Sequence, residues 1–570
     1  MKIKVLVLLL VLTACTPTAD TTSTPWQKGA MATAANPHAV RAAMQMLKNG
    51  GHAVDAAIAA HAVLGLVEPQ SSGIGGGAFM LVFNREEHKL NFHDGREMSP
   101  AAATVDMFMK DGEVMNFYEA WQSGKAVGVP GAIALYKHAH DLHGKLPWAD
   151  LFQPAITLAS EGFEVSPRLA GFLPRMAEIS QLPKNAGTAA YFYPEGTPLQ
   201  AGELRKNPAY AKTLERVSIE GPDAFYKGSI AETIVKAARA EPNPGRLTMD
   251  DLAEYKVIDR EVLCGDFRGL DICTTSPPSS GGAQIMIAGI YDHLTKPGQS
   301  MPDNIAAFID AQRLAYADRD HYFGDPDKIS IPLNDLLNPE YLKVRAGERF
   351  GPAEKPSHGD PSKVLHGKDV AGLWSIDTTE EVPGTTHLSI VDSEGNAVAM
   401  TATVEAPFGS SRWVEGFVLN NQMTDFARKV STDGKPMANA ISPRSRPRSS
   451  MSPTMVFDAE GDLFMVTGSP GGNSIPAYVA KTILGVLDWG LDAQASVDFT
   501  NIIARGEKVR VDISSEEGKI IAEDLKARGY IVQERDGENS GLHVIVVRPD
   551  GLEGAADKRR EGIVMSIPEA

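Results

Sequence analysis

The sequence predicts a layered α/β fold, on three observations. Helical patterns alternate with short apolar strand patterns along most of the chain, which suggests helices stacked on sheet around a large shared core. Of the 570 residues, 43% are hydrophobic and 22% charged, the balance of a globular protein. There is no long internal repeat and no low-complexity tract. The length suggests about two to four domain-sized units. These features exclude a disordered chain, a multi-pass membrane protein and a disulfide-stapled miniprotein. With 55 basic and 72 acidic side chains the formal charge is −17, so nucleic acid is not an expected partner, because phosphate contacts need clustered Lys and Arg.

Taken in order, the chain begins with a targeting segment, residues 1–14. Lys2 and Lys4 precede an apolar stretch from Val5 to Leu12, far short of the roughly twenty residues of a membrane span. Leu12-Thr13-Ala14-Cys15 resembles a bacterial lipobox, which would make Cys15 a lipidated mature N-terminus; a signal peptide cut later, in Thr16 to Thr24, is the alternative. The expected location is the periplasm or cell envelope, with a membrane engaged only through that lipid. Two alanine-rich helices follow. Asn36-Pro37 opens the first with a cap and an N1 proline and Asn49-Gly50-Gly51 closes it; the second runs from about Ala53 to Leu66. A Gly-rich turn, Ser71 to Gly77, leads into an apolar strand, Ala78 to Phe83. Residues 130–260 read as mostly helical, with amphipathic stretches Gly131 to His143 and Ile230 to Ala240.

Next come Cys264 and Cys273. If Arg268-Gly269 is a hairpin turn, they lie opposite each other, within disulfide reach in an exported protein; two free buried thiols are the other reading. Pro277 to Gly282 breaks the chain before an apolar helix, Ala283 to Leu294, and residues 325–383 read as loop-rich. From Thr385 onward the texture becomes strand-like: His387 to Asp392 and Ala397 to Glu405 flank the turn Ser393-Glu394-Gly395-Asn396. Leu463 to Thr467 is a further strand, which runs through Gly468-Ser469-Pro470-Gly471-Gly472 into a helix, Ile475 to Leu487.

Several signals lead nowhere. Gly73 to Ala78 fits a loose dinucleotide fingerprint, but a helix precedes it and a strand follows, the reverse of what that motif needs. His138, His140 and His143 span more than one face of their helix, with no Glu in an H-E-x-x-H position, so they read as a solvated helix end and not as a metal site. Neither metal nor cofactor is expected.

Eight blocks in the chain carry the functional signal. They are Glu68 to Gly77, Asp94-Gly95-Arg96-Glu97, Val127 to Gly131, Pro277 to Gly282, Gly384-Thr385-Thr386-His387, Leu419 to Phe426, Ser449-Ser450-Met451-Ser452-Pro453 and Gly468 to Gly472. Together and in this order they resemble the gamma-glutamyltransferase family (gamma-glutamyltranspeptidase, glutathione hydrolase) over nearly the whole chain. The resemblance implies an N-terminal-nucleophile hydrolase, an αββα sandwich made as an inactive precursor that cuts itself between Gly384 and Thr385. The products would be a large subunit, 15–384, and a small one, 385–570, which fold as one unit. The expected partners are glutathione and other gamma-glutamyl compounds as donors and amino acids or peptides as acceptors.

The chemistry explains why the cut is useful. A hydroxyl is a weak nucleophile until a base takes its proton. An α-amino group, with a pKa of about 7.7–8, is partly unprotonated near neutral pH, so cleavage puts nucleophile and base on one residue. In the predicted hairpin Thr385 lies opposite residue 404, or 403 if the loop is odd-membered, and the family pattern places a hydrogen-bonding threonine at Thr403. By the same pattern Gly471 and Gly472 form an oxyanion hole before a helix N-terminus. Arg96, Ser449 and Ser450 bind the donor's α-carboxylate, and Gln422 and Asp425 its α-ammonium. Glu405 stands where many family members have Asn, adding negative charge on the ammonium side unless it turns outward to an Arg such as Arg412. The segment between Phe426 and Arg446, where the family has an active-site lid, contains no aromatic residue. Two alternatives stay open: a glutaryl or cephalosporin acylase on the same fold, and a non-catalytic surface-binding lipoprotein.

Overall fold

The computed structural model describes residues 26–369, 372–379, 381–382, 384–432 and 434–568. Cys15 and the rest of the expected targeting segment lie outside them. Two antiparallel sheets form the centre. The seven-stranded sheet runs Ile563–Ile567, Ala30–Ala34, Gly384–Val391, Ala397–Glu405, Gly77–Asn84, Lys89–Gly95, Ile258–Arg260. The six-stranded sheet runs Gly551–Ala556, His543–Arg548, Leu463–Gly468, Thr454–Phe457, Leu270–Thr275, Val262–Phe267.

The strand Gly77–Asn84 shows how the layers are held. Successive side chains point to opposite faces, and here both faces are buried. Ala78, Met80 and Val82 pack with the helices Pro37–Lys48 and Ala53–Val67, while Phe79, Leu81 and Phe83 enter the core between the sheets, where Phe83 meets Phe457 edge to face at 4.9 Å. On the far side of the six-stranded sheet lie Gly281–Leu294, Met301–Tyr322 and Ile475–Leu487. The order is therefore helix, sheet, sheet, helix.

Every residue of Ala53–Val67 is buried, which explains its alanine content: small side chains let the helix lie close to its neighbours on all sides. Its start is capped by the His52 ring, which accepts from the Val54 N–H at 3.1 Å, and by Asp55, which accepts from the His52 N–H at 2.9 Å. Cys264 and Cys273 pair across the hairpin Val262–Phe267 and Leu270–Thr275 and are disulfide-bonded, with Cα atoms 4.1 Å apart. Residues 325–383 are less irregular than their prolines suggest; Leu333–Leu336, Pro339–Ala346 and Pro361–His366 are short helices, the last two with Pro at their first position. Among the described residues no helix is long and apolar enough to cross a membrane.

Candidate active site

The site is built on the two central strands of the seven-stranded sheet. Their turn is tied by the Asp392 carboxylate, which accepts from the backbone N–H groups of Glu394 at 2.9 Å and Asn396 at 3.0 Å, while Gly395 takes φ of +85°, a conformation that favours glycine. From that turn the register runs Val391 opposite Ala397 through to Thr385 opposite Thr403, then slips so that Gly384 faces Glu405. A slip of this kind is a β-bulge, which bends a strand and re-aims its side chains. It falls between Gly384 and Thr385.

At the bulge three groups form a relay. The Thr385 hydroxyl donates to the Thr403 hydroxyl at 3.3 Å, and the Thr403 hydroxyl donates to the Gly384 carbonyl at 2.8 Å. The Glu405 N–H donates to the Thr403 oxygen at 2.8 Å, which orients that hydroxyl. Thr403 thus touches both the side chain of Thr385 and the carbonyl on the other side of the Gly384–Thr385 peptide. Glycine is required at 384 because a Cβ there would lie 2.2 Å from the Glu405 carbonyl oxygen. Arg560, from the C-terminal segment, donates to the Thr385 carbonyl at 2.8 Å.

Gly471 and Gly472 precede the helix Ile475–Leu487 with φ of +142° and +56°, both in the region that disfavours L side chains. Gly472 lines the same narrow cavity as Thr385, Thr403, Glu405, Gln422, Asp425, Arg96 and Ser449. Gly471 lines a neighbouring cavity of about 680 Å³, on the other side of Glu381 and Val382.

The charged part of the site differs from the simple picture of two opposed clamps. Arg96, at the end of Lys89–Gly95, donates to the Asp425 carboxylate at 2.6 Å and to the Arg448 carbonyl at 3.0 Å, and Gln422 donates to the same Asp425 oxygen at 2.5 Å. Burial pushes Asp425 up to about 7 against the opposing pull of Arg96, and burial likewise lifts the adjacent Glu97 to about 7. Glu405 is buried and turned inward, accepting from the Asn421 side-chain amide and, at 3.2 Å, from the Val382 N–H. Burial first, then the negative charge of Asp425, raises its pKa well above the carboxylate range. Arg412 is not its partner; that guanidinium donates to the carbonyls of Ala237, Ala240 and Pro242.

Ser449 and Ser450 sit under the segment that leads into Thr385. The Ser450 N–H donates to one Glu381 oxygen at 2.8 Å, and Arg319 donates to the other at 2.6 Å and to the Ser450 hydroxyl at 2.7 Å. Burial works against the Glu381 carboxylate, but Arg319 and Arg448 outweigh it and hold its pKa down. The Glu381 carboxylate thus rests on Ser450 while the next residue's N–H rests on Glu405. In place of a substrate-sized opening, about 10 Å³ of cavity remains beside Thr385. Wider cavities, about 910 and 680 Å³, open on either side of Val382. The 427–445 segment contributes Arg428, Lys429 and Lys435 to the larger one, where the family pattern has its lid.

Glu381, Arg319 and Arg560 belong to this site and have no distinguishing sequence signal; Glu97 lies in the Asp94-Gly95-Arg96-Glu97 block, but the sequence assigns it no role there. Arg319 and Arg560 in particular come from a helix and a C-terminal loop far from Thr385 in the chain.

The geometry has counterparts among known proteins. Residues 39–567 match the family model described as gamma-glutamyltranspeptidase. A glutathione hydrolase proenzyme of Escherichia coli is 36% identical over 549 residues, covering 93% of this chain and 90% of that one. One from Bacillus subtilis is 37% identical, covering 83% and 80%. In three dimensions a cephalosporin acylase from Bacillus halodurans superposes with a TM-score of 0.82 at 26% identity, over 98% of this chain and 99% of the other. A gamma-glutamyltranspeptidase from Helicobacter pylori superposes with a TM-score of 0.53 at 31% identity, over 62% and 99%. With a family match over nearly its whole length, relatives this similar and the αββα sandwich of N-terminal-nucleophile hydrolases, the chain is an enzyme that belongs to the gamma-glutamyltranspeptidase family.

Proposed function

We propose that the protein is a self-cleaving glutathione hydrolase and gamma-glutamyltransferase with Thr385 as its nucleophile. The observation that carries this reading is the relay from the Thr385 hydroxyl through Thr403 to the Gly384 carbonyl. In the precursor the Thr385 oxygen attacks the Gly384 carbonyl carbon, and Thr403 polarises the oxygen on which charge develops. The C–N bond breaks as the Thr385 nitrogen takes the proton given up by the hydroxyl, which frees the amine, and water then hydrolyses the ester to a Gly384 carboxylate and restores the Thr385 hydroxyl. That amine then serves as base for the same hydroxyl. Residues 15–384 and 385–570 become the two subunits.

On the mature enzyme Thr385 takes the gamma-glutamyl group as an ester, with Gly471 and Gly472 facing the oxyanion, and water or an amino-acid or peptide amine releases it. Glu381 leaves with the freed end of the large subunit. The donor's α-carboxylate then meets Ser449, Ser450, Arg96 and Arg319, and its α-ammonium meets Gln422, Asp425 and Glu405. The uncut linker holds these positions with a carboxylate and an N–H of its own, which supports the reading that the precursor is closed to substrate.

A second reading, an acylase for glutaryl-type substrates, has the overall superposition with the cephalosporin acylase in its favour. A glutaryl group lacks the α-ammonium and would forgo the charge-assisted contact that a gamma-glutamyl ammonium makes with Asp425, the carboxylate that Arg96 already holds. The gamma-glutamyl donor is therefore favoured. A purely binding lipoprotein would need neither the nucleophile nor the bulge. The deciding experiment is a denaturing gel of purified protein together with turnover of matched gamma-glutamyl and glutaryl chromogenic amides, with and without a dipeptide acceptor. Two fragments with N-terminal Thr385 and a strong gamma-glutamyl preference are expected; equal turnover of both amides would promote the acylase reading. For the N-terminus the proposal is lipidation at Cys15 and an envelope location, so Cys15→Ala should release the protein from the membrane fraction.

A further inference from the structure

On the opposite face of the strand that carries Arg96, His93, His138 and Asp259 converge. His93 and Asp259 are directly opposite in the pairing of Lys89–Gly95 with the edge strand Ile258–Arg260, and His138 comes down from the helix Ala132–His143. The Asp259 Oδ1 lies 2.7 Å from His93 Nδ1 and 2.8 Å from His138 Nε2. Behind them His143 Nε2 stands 3.4 Å from His93 Nε2, and His52 stacks on His143 with ring centroids 5.8 Å apart. Four imidazoles thus follow one another, and the Asp259 carboxylate lies between the first two, His138 and His93. His140, the remaining histidine of the helix, turns away to the Leu146 carbonyl.

We propose that His93 Nδ1, His138 Nε2 and an Asp259 oxygen bind a divalent transition-metal cation, of which Zn²⁺ is the best match. The donor set is the first reason. Two imidazole nitrogens and one carboxylate oxygen suit Zn²⁺ and its neighbours, whereas Ca²⁺ and Mg²⁺ take oxygen ligands. These ligand atoms already lie within 4.8 Å of one another. Tetrahedral zinc at its usual bond lengths needs ligand atoms roughly 3.3 Å apart. That is a short outward movement for Asp259, whose side chain is 59% exposed. The metal takes the place of the two N–H protons now on that oxygen, each ring shifting its proton to its other nitrogen, His93 to Nε2 and His138 to Nδ1. The second reason is access: a cavity of about 560 Å³ opens on His93, His143 and Asp259 and has room for the water that completes the shell.

Such an ion would join a helix, an inner strand and a three-residue edge strand. The neighbouring Asp94 points to the other face, where it holds Arg260 at 2.6 Å and accepts from the Arg96 N–H at 2.8 Å. The cation therefore stiffens the strand that presents Arg96 without touching the catalytic cavity.

The test uses untagged, chelator-stripped, full-length protein titrated with ZnCl₂ at neutral pH by calorimetry, with melting followed in parallel. One saturable equivalent and a zinc-dependent rise in Tm are expected. His138→Ala and Asp259→Ala should each weaken binding about tenfold or more and remove the rise, while His140→Ala changes neither. Because His138 and Asp259 are part-exposed, both variants should melt near the wild-type temperature without metal. Anomalous scattering at the zinc edge from wild-type crystals soaked in zinc gives a check that needs no variant. Absence of a saturable equivalent, binding unchanged in both His138→Ala and Asp259→Ala, or an anomalous peak elsewhere overturns the proposal.

Discussion

The hydroxyl relay and the charged clamp lie side by side in one cavity and are built in opposite ways. Thr385, Thr403 and Gly384 belong to a single hairpin, are uncharged, and are placed by strand register. Arg96, Arg319, Glu381, Glu405 and Asp425 come from five separate segments and are buried; Arg96 pairs with Asp425 and Arg319 with Glu381, while Glu405 is held by hydrogen bonds from Asn421 and the Val382 N–H. The hairpin's geometry costs little to maintain, since its polar groups are satisfied locally. The clamp is expensive without a ligand, because buried charges need partners, and in the uncut chain Glu381 supplies one of them. In the proposed function, chemistry sits on the rigid local element and recognition on the network that can exchange partners.

The sharpest way to break this comparison is to remove the proposed nucleophile. Thr385→Ala should remain a single chain on a denaturing gel and lose turnover by about four orders of magnitude or more, as when a covalent catalyst's nucleophile is deleted. Thr385→Ser should still process, slowly. Two subunits in the Ala variant would place the cut elsewhere.

Recognition should fail more gently. Asp425→Ala should lower kcat/KM for gamma-glutamyl amides by about tenfold to a hundredfold or more, the worth of a charge-assisted hydrogen bond of roughly 1.5–3 kcal/mol. Glutaryl amides should be affected far less. Similar losses on both substrates would mean that Asp425 supports the fold through Arg96 and does not read the ammonium.

The linker's role is separable in a background that cannot cut itself. Uncut Thr385→Ala protein should bind L-glutamate poorly, and adding Glu381→Ala should tighten binding about tenfold, by freeing Arg319 and Ser450. Titration calorimetry measures this directly. Unchanged affinity would show that the clamp is not where the linker competes.

The smallest expected effect is with pH. Asp425 is held up to about 7, so below that it is neutral and cannot balance an ammonium. KM for gamma-glutamyl donors should fall as pH rises through about 7, by at most about tenfold per unit, and Asp425→Asn should flatten the profile. The stability sign is opposite. The folded state keeps a proton that the unfolded chain releases near the ordinary value of about 4, so this group's contribution to stability declines as pH rises through that window. A KM profile unaltered by Asp425→Asn would assign the dependence to another group, such as the Thr385 amine.

Legibility in the sequence follows the same division. Turn residues and alternating strand patterns located both strands of the hairpin; of the two registers left open, residue 404 or 403 opposite Thr385, the structure has Thr403, because the loop between the paired residues Val391 and Ala397 is odd-membered. The Cys264–Cys273 pairing was readable for the same reason, a two-residue turn between matched strands. The inward turn of Glu405 was one of two open readings, because the sequence did not show that Arg412 is engaged by three backbone carbonyls. Glu381 and Arg319 carry no motif, and their roles follow from a meeting 62 residues apart in the chain. The three helix histidines read as a solvated end because their partners, His93 and Asp259, lie on strands elsewhere.

By itself, then, the sequence determined the family, the α/β layering, the hairpin and its threonines, since periodicity, turn chemistry and register act over a few residues and leave a local trace. Only the tertiary structure decided which charges face each other: that Arg96 pairs with Asp425, that Glu381 fills the clamp, and that His138 meets His93 and Asp259. Coulomb interactions and desolvation depend on distance and burial in space. Neither is written into the spacing of residues along a chain.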